Sequence, residues 1–124
     1  MIKCSSTERG DYVLNMSEIL RGYTDTIILA QLSEHDSYGY EINKNIVEAT
    51  DSALELKEAT LYTTFRRLEI SGHIASYWGD ENTGARRRYY SITESGRKLL
   101  TENISDYQKA NNIIFKLIKG KQNK

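Results

Sequence analysis

The chain has 124 residues, with 17 basic and 17 acidic side chains balancing to a formal net charge of zero, one cysteine and no proline. That length supports one domain with a modest core. The lone Cys4 excludes an intrachain disulfide and a cysteine-based zinc site, no apolar run approaches a membrane span, and the polar stretch Met1 to Gly10 lacks the apolar centre of a secretory signal, so a soluble cytoplasmic protein is expected.

The charge is unevenly spread. Residues 1–56 hold 4 basic and 10 acidic side chains, residues 57–91 hold 6 and 4, and residues 92–124 hold 7 and 3. Positive charge gathered in the second half lets one face of a neutral protein be basic. Phosphate affinity depends on that local field.

Residues 1–14 read as a flexible tail. A first helix is expected from Met16, capped by Asn15 or Ser17, to about Ser33. Met16, Ile19, Leu20, Tyr23, Ile27, Ile28 and Leu32 recur at three- and four-residue spacings. Ile27 to Ala30 is apolar on more than one side, which suits a helix sandwiched between partners. After the polar break at Glu34-His35-Asp36, Ser37 is the expected cap of a second helix, with Glu41 in its first turn and Ile42, Ile46, Val47 and Ala49 inward. Gly39 costs stability there unless something packs close to it.

Asp51-Ser52 opens a break, and Lys57 leads into a third helix. Two short helices joined this way suit a helix-turn-helix. At 100° per residue, Phe65 and Leu68 fall within about 40° of Leu61 and form a narrow apolar stripe. Ala59, Thr63, Arg66 and Arg67 stand opposite, with Thr60 and Tyr62 at the flanks. A face mixing small residues with Arg can press into a nucleic-acid groove and reach base edges.

Ser71-Gly72 ends this helix, with Gly at the left-handed position. Ile74 to Trp78 reads as a strand, Gly79 to Gly84 as a turn, and Arg86 to Ile92 as the return strand. Alternation separates Arg87, Tyr89 and Ser91 from Arg88, Tyr90 and Ile92. A hairpin directly after a helix-turn-helix is a wing, here with its tip at Asp80 to Arg86. Thr93 caps a last helix from Glu94 to about Ile118. Leu100, Ile104, Tyr107, Asn111, Ile114 and Ile118 mark an a/d seam of almost three heptads, widened by Leu99, Ala110, Ile113 and Leu117. Such a stripe on a small domain calls for a second chain, and Asn111 would set its register. Residues 119–124 are a basic tail.

Four motifs now stand in order. Leu20-Arg21-Gly22, Tyr38-Gly39-Tyr40-Glu41-Ile42, Leu56 to Tyr62 with Arg67-Leu68-Glu69, and Gly84 to Thr93 with Gly96 together resemble the PadR family of transcriptional regulators over roughly residues 16–118. The single C-terminal helix resembles the smaller PadR subgroup. Ala59 to Phe65 and Tyr77 to Asp80 resemble members akin to the lactococcal multidrug-binding repressor. The resemblance implies a mainly α fold with a small β-hairpin: a winged helix-turn-helix over residues 15–92 and a dimerisation helix over residues 93–118. It also implies a homodimeric, ligand-responsive repressor of operator DNA, controlling a multidrug-efflux or stress-response gene. Many members carry Pro where this chain has Thr63. Thr63 restores a backbone donor and adds a hydroxyl to the outer face, so base preferences do not carry over from the family.

The DNA-facing candidates follow. Arg66 and Arg67 suit phosphate or guanine; Thr60, Tyr62 and Thr63 suit phosphate or a thymine methyl; Ala59 permits close approach; Lys57 suits phosphate at the helix start. Thr64 lies nearer the core. Arg86 and Arg87 of the wing suit phosphates beside the minor groove, whereas Arg88 pairs inside the protein. Tyr38 and Lys44 on the second helix are further phosphate candidates, while Trp78, Tyr89 and Tyr90 are expected to pack.

A ligand site for an aromatic or cationic small molecule is expected around Tyr107, with Asn103, Asp106 and Asn111 beside it. Ile19, Gly22, Tyr23, Thr26 or Leu29 would form the other wall. Two facing Tyr107 rings in a two-fold dimer would clasp a planar ligand, and Asp106 would favour a cationic one. The two histidines, His35 and His73, lie in separate breaks, and no carboxylate pair, Cys/His dyad or phosphate-cradling loop stands out. Neither an enzyme, nor a metal site, nor a cofactor is expected. From another functional class, the alternative is a winged-helix protein–protein adaptor that never reads DNA.

Overall fold

The computed structural model describes residues 16–79 and 86–120. The expected tail at 1–14, Asn15 as a cap, most of the wing tip and residues 121–124 lie outside them. The element order is a 3-10 turn at Arg21–Tyr23, α1 (Thr24–Glu34), α2 (Gly39–Ala49), α3 (Glu58–Ile70), β1 (Ile74–Trp78), β2 (Arg88–Ile92) and α4 (Glu94–Lys119). This is a winged helix-turn-helix: three helices, an antiparallel hairpin, and a long closing helix.

The first helix departs from expectation. Residues 16–19 are helical, but the chain then tightens into the 3-10 turn before α1 begins. Leu20 and Tyr23 mark the change, since Tyr23 N–H donates to the Leu20 carbonyl at 2.8 Å, three residues back. The hydroxyl of Thr24 also donates to the Arg21 carbonyl, at 3.1 Å. The first is the backbone bond of a 3-10 ladder, as is the Thr24 N–H to Arg21 carbonyl bond, and the hydroxyl adds a side-chain donor to the same carbonyl. Gly22 sits in this turn, and its carbonyl accepts from the Tyr107 hydroxyl at 3.1 Å, so a partner outside the helix competes for it.

Ser37 does not cap α2. Tyr38 is the N-cap residue and makes no side-chain cap bond. Ser37 is buried and exchanges two backbone hydrogen bonds with Tyr90, at 3.1 and 2.8 Å, adding a third short rung beside β2. Its hydroxyl donates to Glu41 Oε1 at 2.5 Å. Ala49, expected to face inward, is exposed. Between α2 and α3 the turn runs through Asp51 and Ser52, both left-handed at φ 52° and 69°.

α3 ends as its sequence dictates. Gly72 adopts φ +81° and its N–H reaches the Glu69 carbonyl at 3.0 Å, while His73 N–H reaches Leu68 at 2.9 Å. Those two bonds are a Schellman closure. β1 and β2 pair from Ile74↔Ile92 to Trp78↔Arg88, so the return strand starts two residues later than Arg86. Thr93 accepts from Gly96 N–H at 3.1 Å, making it the expected cap of α4.

The core gathers Ile28, Leu29 and Leu32 of α1, Ile42 and Ile46 of α2, Leu61, Phe65 and Leu68 of α3, and Ile74 and Tyr90 of the hairpin. Leu99 and Leu100 of α4 pack partly against it. Beyond Tyr107 the helix runs out exposed, with Ile113, Ile114, Phe115, Leu117 and Ile118 uncovered in one chain.

Gly96 is where α4 crosses the end of α3, and a Cβ there would lie 2.1 Å from the backbone carbonyl oxygen of His73. That oxygen is fixed by Thr93 N–H at 3.0 Å, so it cannot give way cheaply. Gly96→Ala is therefore expected to lower stability by about 1–3 kcal/mol, the usual cost of overpacking. Gly22→Ala, with nothing within 4 Å of the added carbon, should move the thermal midpoint little. Thermal melts of the two variants check the contrast.

Candidate nucleic-acid interface

α3 presents two chemically distinct sides. Leu61, Thr64, Phe65 and Leu68 are buried, and the Thr64 hydroxyl is spent on the Thr60 carbonyl at 2.8 Å. Ala59, Thr60, Tyr62, Thr63, Arg66 and Arg67 are all exposed. The inner residues lock the helix while the outer ones stay available.

Tyr62 does more than stand outward. A Cβ on Gly39 would meet its hydroxyl at 2.7 Å and Leu61 Cδ2 at 3.2 Å, so the bare glycine lets the start of α2 close onto α3. This is the close packing that justifies a glycine in the first turn of a helix. Tyr38 and Lys44 lie on the same helix-turn-helix unit, with Lys44 exposed and Tyr38 half-buried, and Lys57 is exposed at the start of α3.

The flanks of α3 differ. On the flank toward α1, the Arg67 guanidinium binds Asp25, with Nη2 2.5 Å from Oδ1 and Nε 3.4 Å from Oδ2. The hydrogen bond to that carboxylate, helped by its charge and opposed by slight burial, raises the Arg67 pKa further. On the other flank, Glu69 accepts from Ser76 at 2.6 Å and pairs with Arg88 at 3.5 Å. Arg88 thus pairs within the chain, as expected. Phe65 stacks on Tyr90 with centroids 3.9 Å apart, fastening α3 to the hairpin.

The wing arginines sit on aromatic rings. Arg86 lies 5.2 Å and Arg88 5.7 Å from the Trp78 ring centre, and Arg87 lies 4.7 Å from that of Tyr38. Tyr38, Tyr89 and Tyr77 form a row across the sheet, with centroid spacings of 5.4 and 5.7 Å. The Tyr77 hydroxyl ends it by donating to Asp36 at 2.6 Å, which raises the Tyr77 pKa. Trp78, expected to pack, is half exposed, whereas Tyr90 is buried and Tyr89 intermediate.

A second feature lies between α1 and α4. An open groove of about 500 Å³ is lined by Ile19, Tyr23, Thr26, Ile104, Tyr107 and Asn111, among others. The Tyr23 and Tyr107 rings meet edge to face at 4.4 Å. Thr26 donates to the Tyr107 hydroxyl at 3.2 Å and accepts from Asn103 at 2.9 Å. Of the expected ligand residues, Ile19, Tyr23, Thr26, Tyr107 and Asn111 line the groove, while Gly22 and Asn103 join it through hydrogen bonds with Tyr107 and Thr26. Asp106 is exposed and does not line the groove, and Leu29 is buried in the core instead. Among the described residues, no three His, Cys, Asp or Glu side chains cluster as metal ligands would, and no helix is long and apolar enough to cross a membrane.

Residues 28–102 match the Transcriptional regulator PadR-like family, covering most of the helix-turn-helix, the hairpin and the start of α4. The chain belongs to the PadR-like family. Its fold is close to that of a transcriptional regulator from Clostridium thermocellum, at 48% identity and TM-score 0.77, covering 83% of this chain and 100% of that one. A PadR family regulator from Eggerthella lenta shares 32% identity at TM-score 0.75, covering 91% and 97%. The likeness to Bacillus subtilis PadR, solved in complex with operator DNA, is one of fold: 22% identity at TM-score 0.60 over 65% of this chain and 46% of that one.

One residue that shapes this PadR-like interface had no signal in the sequence. Asn43 of α2 holds both backbone groups of Leu56, donating to its carbonyl at 2.8 Å and accepting from its N–H at 3.0 Å. Leu56 is buried just before α3, so this clamp sets where the helix begins. A hydrogen bond from 13 residues away has no local pattern to read. Asn43→Ala strands two buried backbone groups and is expected to cost about 1–3 kcal/mol. Urea unfolding of the variant against the parent checks it.

Proposed function

We propose that this PadR-like regulator is a cytoplasmic, homodimeric repressor that reads operator DNA with α3 and responds to a small aromatic or cationic ligand. The observation that carries the reading is the division of α3: a side fixed in the core, and an opposite side where Ala59, Thr60, Thr63 and Arg66 stand exposed next to a hairpin bearing Arg86 and Arg87. A rigid helix with small residues and guanidinium groups fits the major groove, and flanking arginines fit phosphates. Likeness of fold to a PadR solved with operator DNA supports it.

In this reading residues 15–92 bind DNA and residues 93–118 pair two chains. Leu100, Ile104, Tyr107, Asn111, Ile114 and Ile118 form the seam. The exposure of Ile104, Ile114 and Ile118 supports this, since bare isoleucines repeated along one helix gain from burial against a second copy. Two α3 helices would then meet half-sites about one turn of DNA apart. The groove beside Tyr23 and Tyr107 is the ligand site, and its aromatic walls suit a planar molecule, in keeping with the resemblance to the lactococcal multidrug-binding repressor. A ligand there would shift the dimer toward a spacing that fits the operator poorly.

The test is fluorescence anisotropy with the duplex upstream of the protein's own gene, beside a scrambled duplex, across a salt series. Specific binding that weakens steeply with salt is expected. Replacing Arg66 and Arg86 together with Ala should remove it while the dimer stays folded, each arginine contributing about 1–3 kcal/mol. Full affinity in the double variant would overturn the site assignment. Salt-independent behaviour, or no binding even at low salt, would favour a protein–protein adaptor.

A further inference from the structure

The flank of α3 opposite the wing holds a small cleft of about 280 Å³, lined by Arg21, Thr24, Ala59, Thr60, Thr63 and Arg67, with Thr64 at its base. Three features set it apart. It mixes two guanidinium groups with exposed hydroxyls of Thr60 and Thr63, a donor set suited to a phosphate oxyanion. It opens on the exposed side of α3, where Ala59 and Thr63 help to line it. And its Arg21 comes from outside the helix-turn-helix, on the 3-10 turn that precedes α1.

We infer that this cleft is a seat for a backbone phosphate of the bound duplex, and that Arg21 is a DNA contact. The inference rests on the DNA-binding reading above. A helix in the major groove lies between two sugar-phosphate backbones, so both of its flanks meet phosphate. The wing supplies Arg86 and Arg87 on one side. On the other side Arg67 is present but turned onto Asp25, and Arg21 is the second cation.

Arg21 is ion-paired with Glu18, three residues away, and both side chains are mostly exposed. Arg67 and Asp25 are likewise partly in solvent. Exposed pairs of this kind are held weakly, by about 0–1 kcal/mol, so a phosphate can take either arginine from its carboxylate at little cost. The turn bearing Arg21 is also braced: its Gly22 carbonyl accepts from Tyr107, and its Arg21 carbonyl accepts from Thr24. The arginine thus projects from a fixed backbone rather than from a loose end.

The experiment is the same anisotropy salt series with Arg21→Ala, Arg21→Lys and, as a charge-matched control, Lys116→Ala in the last turns of α4. One lost phosphate contact removes about 0.9 from the slope of log affinity against log salt, which is about eightfold in affinity at 0.1 M. Arg21→Ala is expected to show that loss, Arg21→Lys to keep most of the slope, and Lys116→Ala to match the parent. An Arg21→Ala slope equal to the parent's, beside a parent that binds and an Arg66/Arg86 double variant that does not, would overturn the seat and leave the DNA reading standing. A loss as large in Lys116→Ala would likewise overturn it, because the effect would belong to net charge. A parent that binds no DNA would overturn both readings together.

Discussion

The face-to-face contact of Phe65 with Tyr90 is the constraint on which the rest of the molecule depends. Phe65 is fully buried in the middle of α3 and Tyr90 is buried in the middle of β2. Tyr90 also carries the backbone rung with Ser37, just before α2. One aromatic pair therefore fixes three things at once: the roll of α3, the base of the wing, and the entry to α2. Rotating α3 by a single residue would move Phe65 about 100° off the stack and bring charged side chains to the core. The exposure of Arg66 follows from the burial of Phe65.

A second organising element is the 3-10 turn together with the start of α1. Within one turn, Gly22 and Thr26 bond Tyr107 of α4, Tyr23 packs against its ring, and Asp25 holds Arg67 of α3. The long helix and the outward helix thus meet through the same short segment. The Thr26 and Tyr107 hydroxyls each both give and accept, which suits a part-buried polar cluster within an apolar groove.

Where local pattern sufficed, the sequence was legible. The periodicity of Leu61, Phe65 and Leu68 foretold which side of α3 is buried; Gly72 foretold its end; Thr93 foretold the start of α4; and alternation separated Tyr90 from Arg87. Gly39 announced a close approach, though not that Tyr62 makes it. What escaped was set by distant partners. The apolar spacing through Leu20 and Tyr23 continues across a break that arises because the Gly22 carbonyl bonds to residue 107. Ser37 has the chemistry of a cap, but the strand beside it claims its backbone. Arg67 pairs with Asp25 across 42 residues, and Asn43 clamps Leu56 across a turn. Asp106 looked close to Tyr107 by number, yet adjacent positions on a helix point about 100° apart.

Trp78 has a consequence of its own. It is the chain's only tryptophan, it is half exposed on the hairpin, and the guanidinium groups of Arg86 and Arg88 both lie over its ring. The protein's indole emission therefore arises at a single known point, beside two arginines. Any event that draws Arg86 away from that ring, or covers it, changes the charge and water around one fluorophore. The wing carries its own optical probe, with no label to attach.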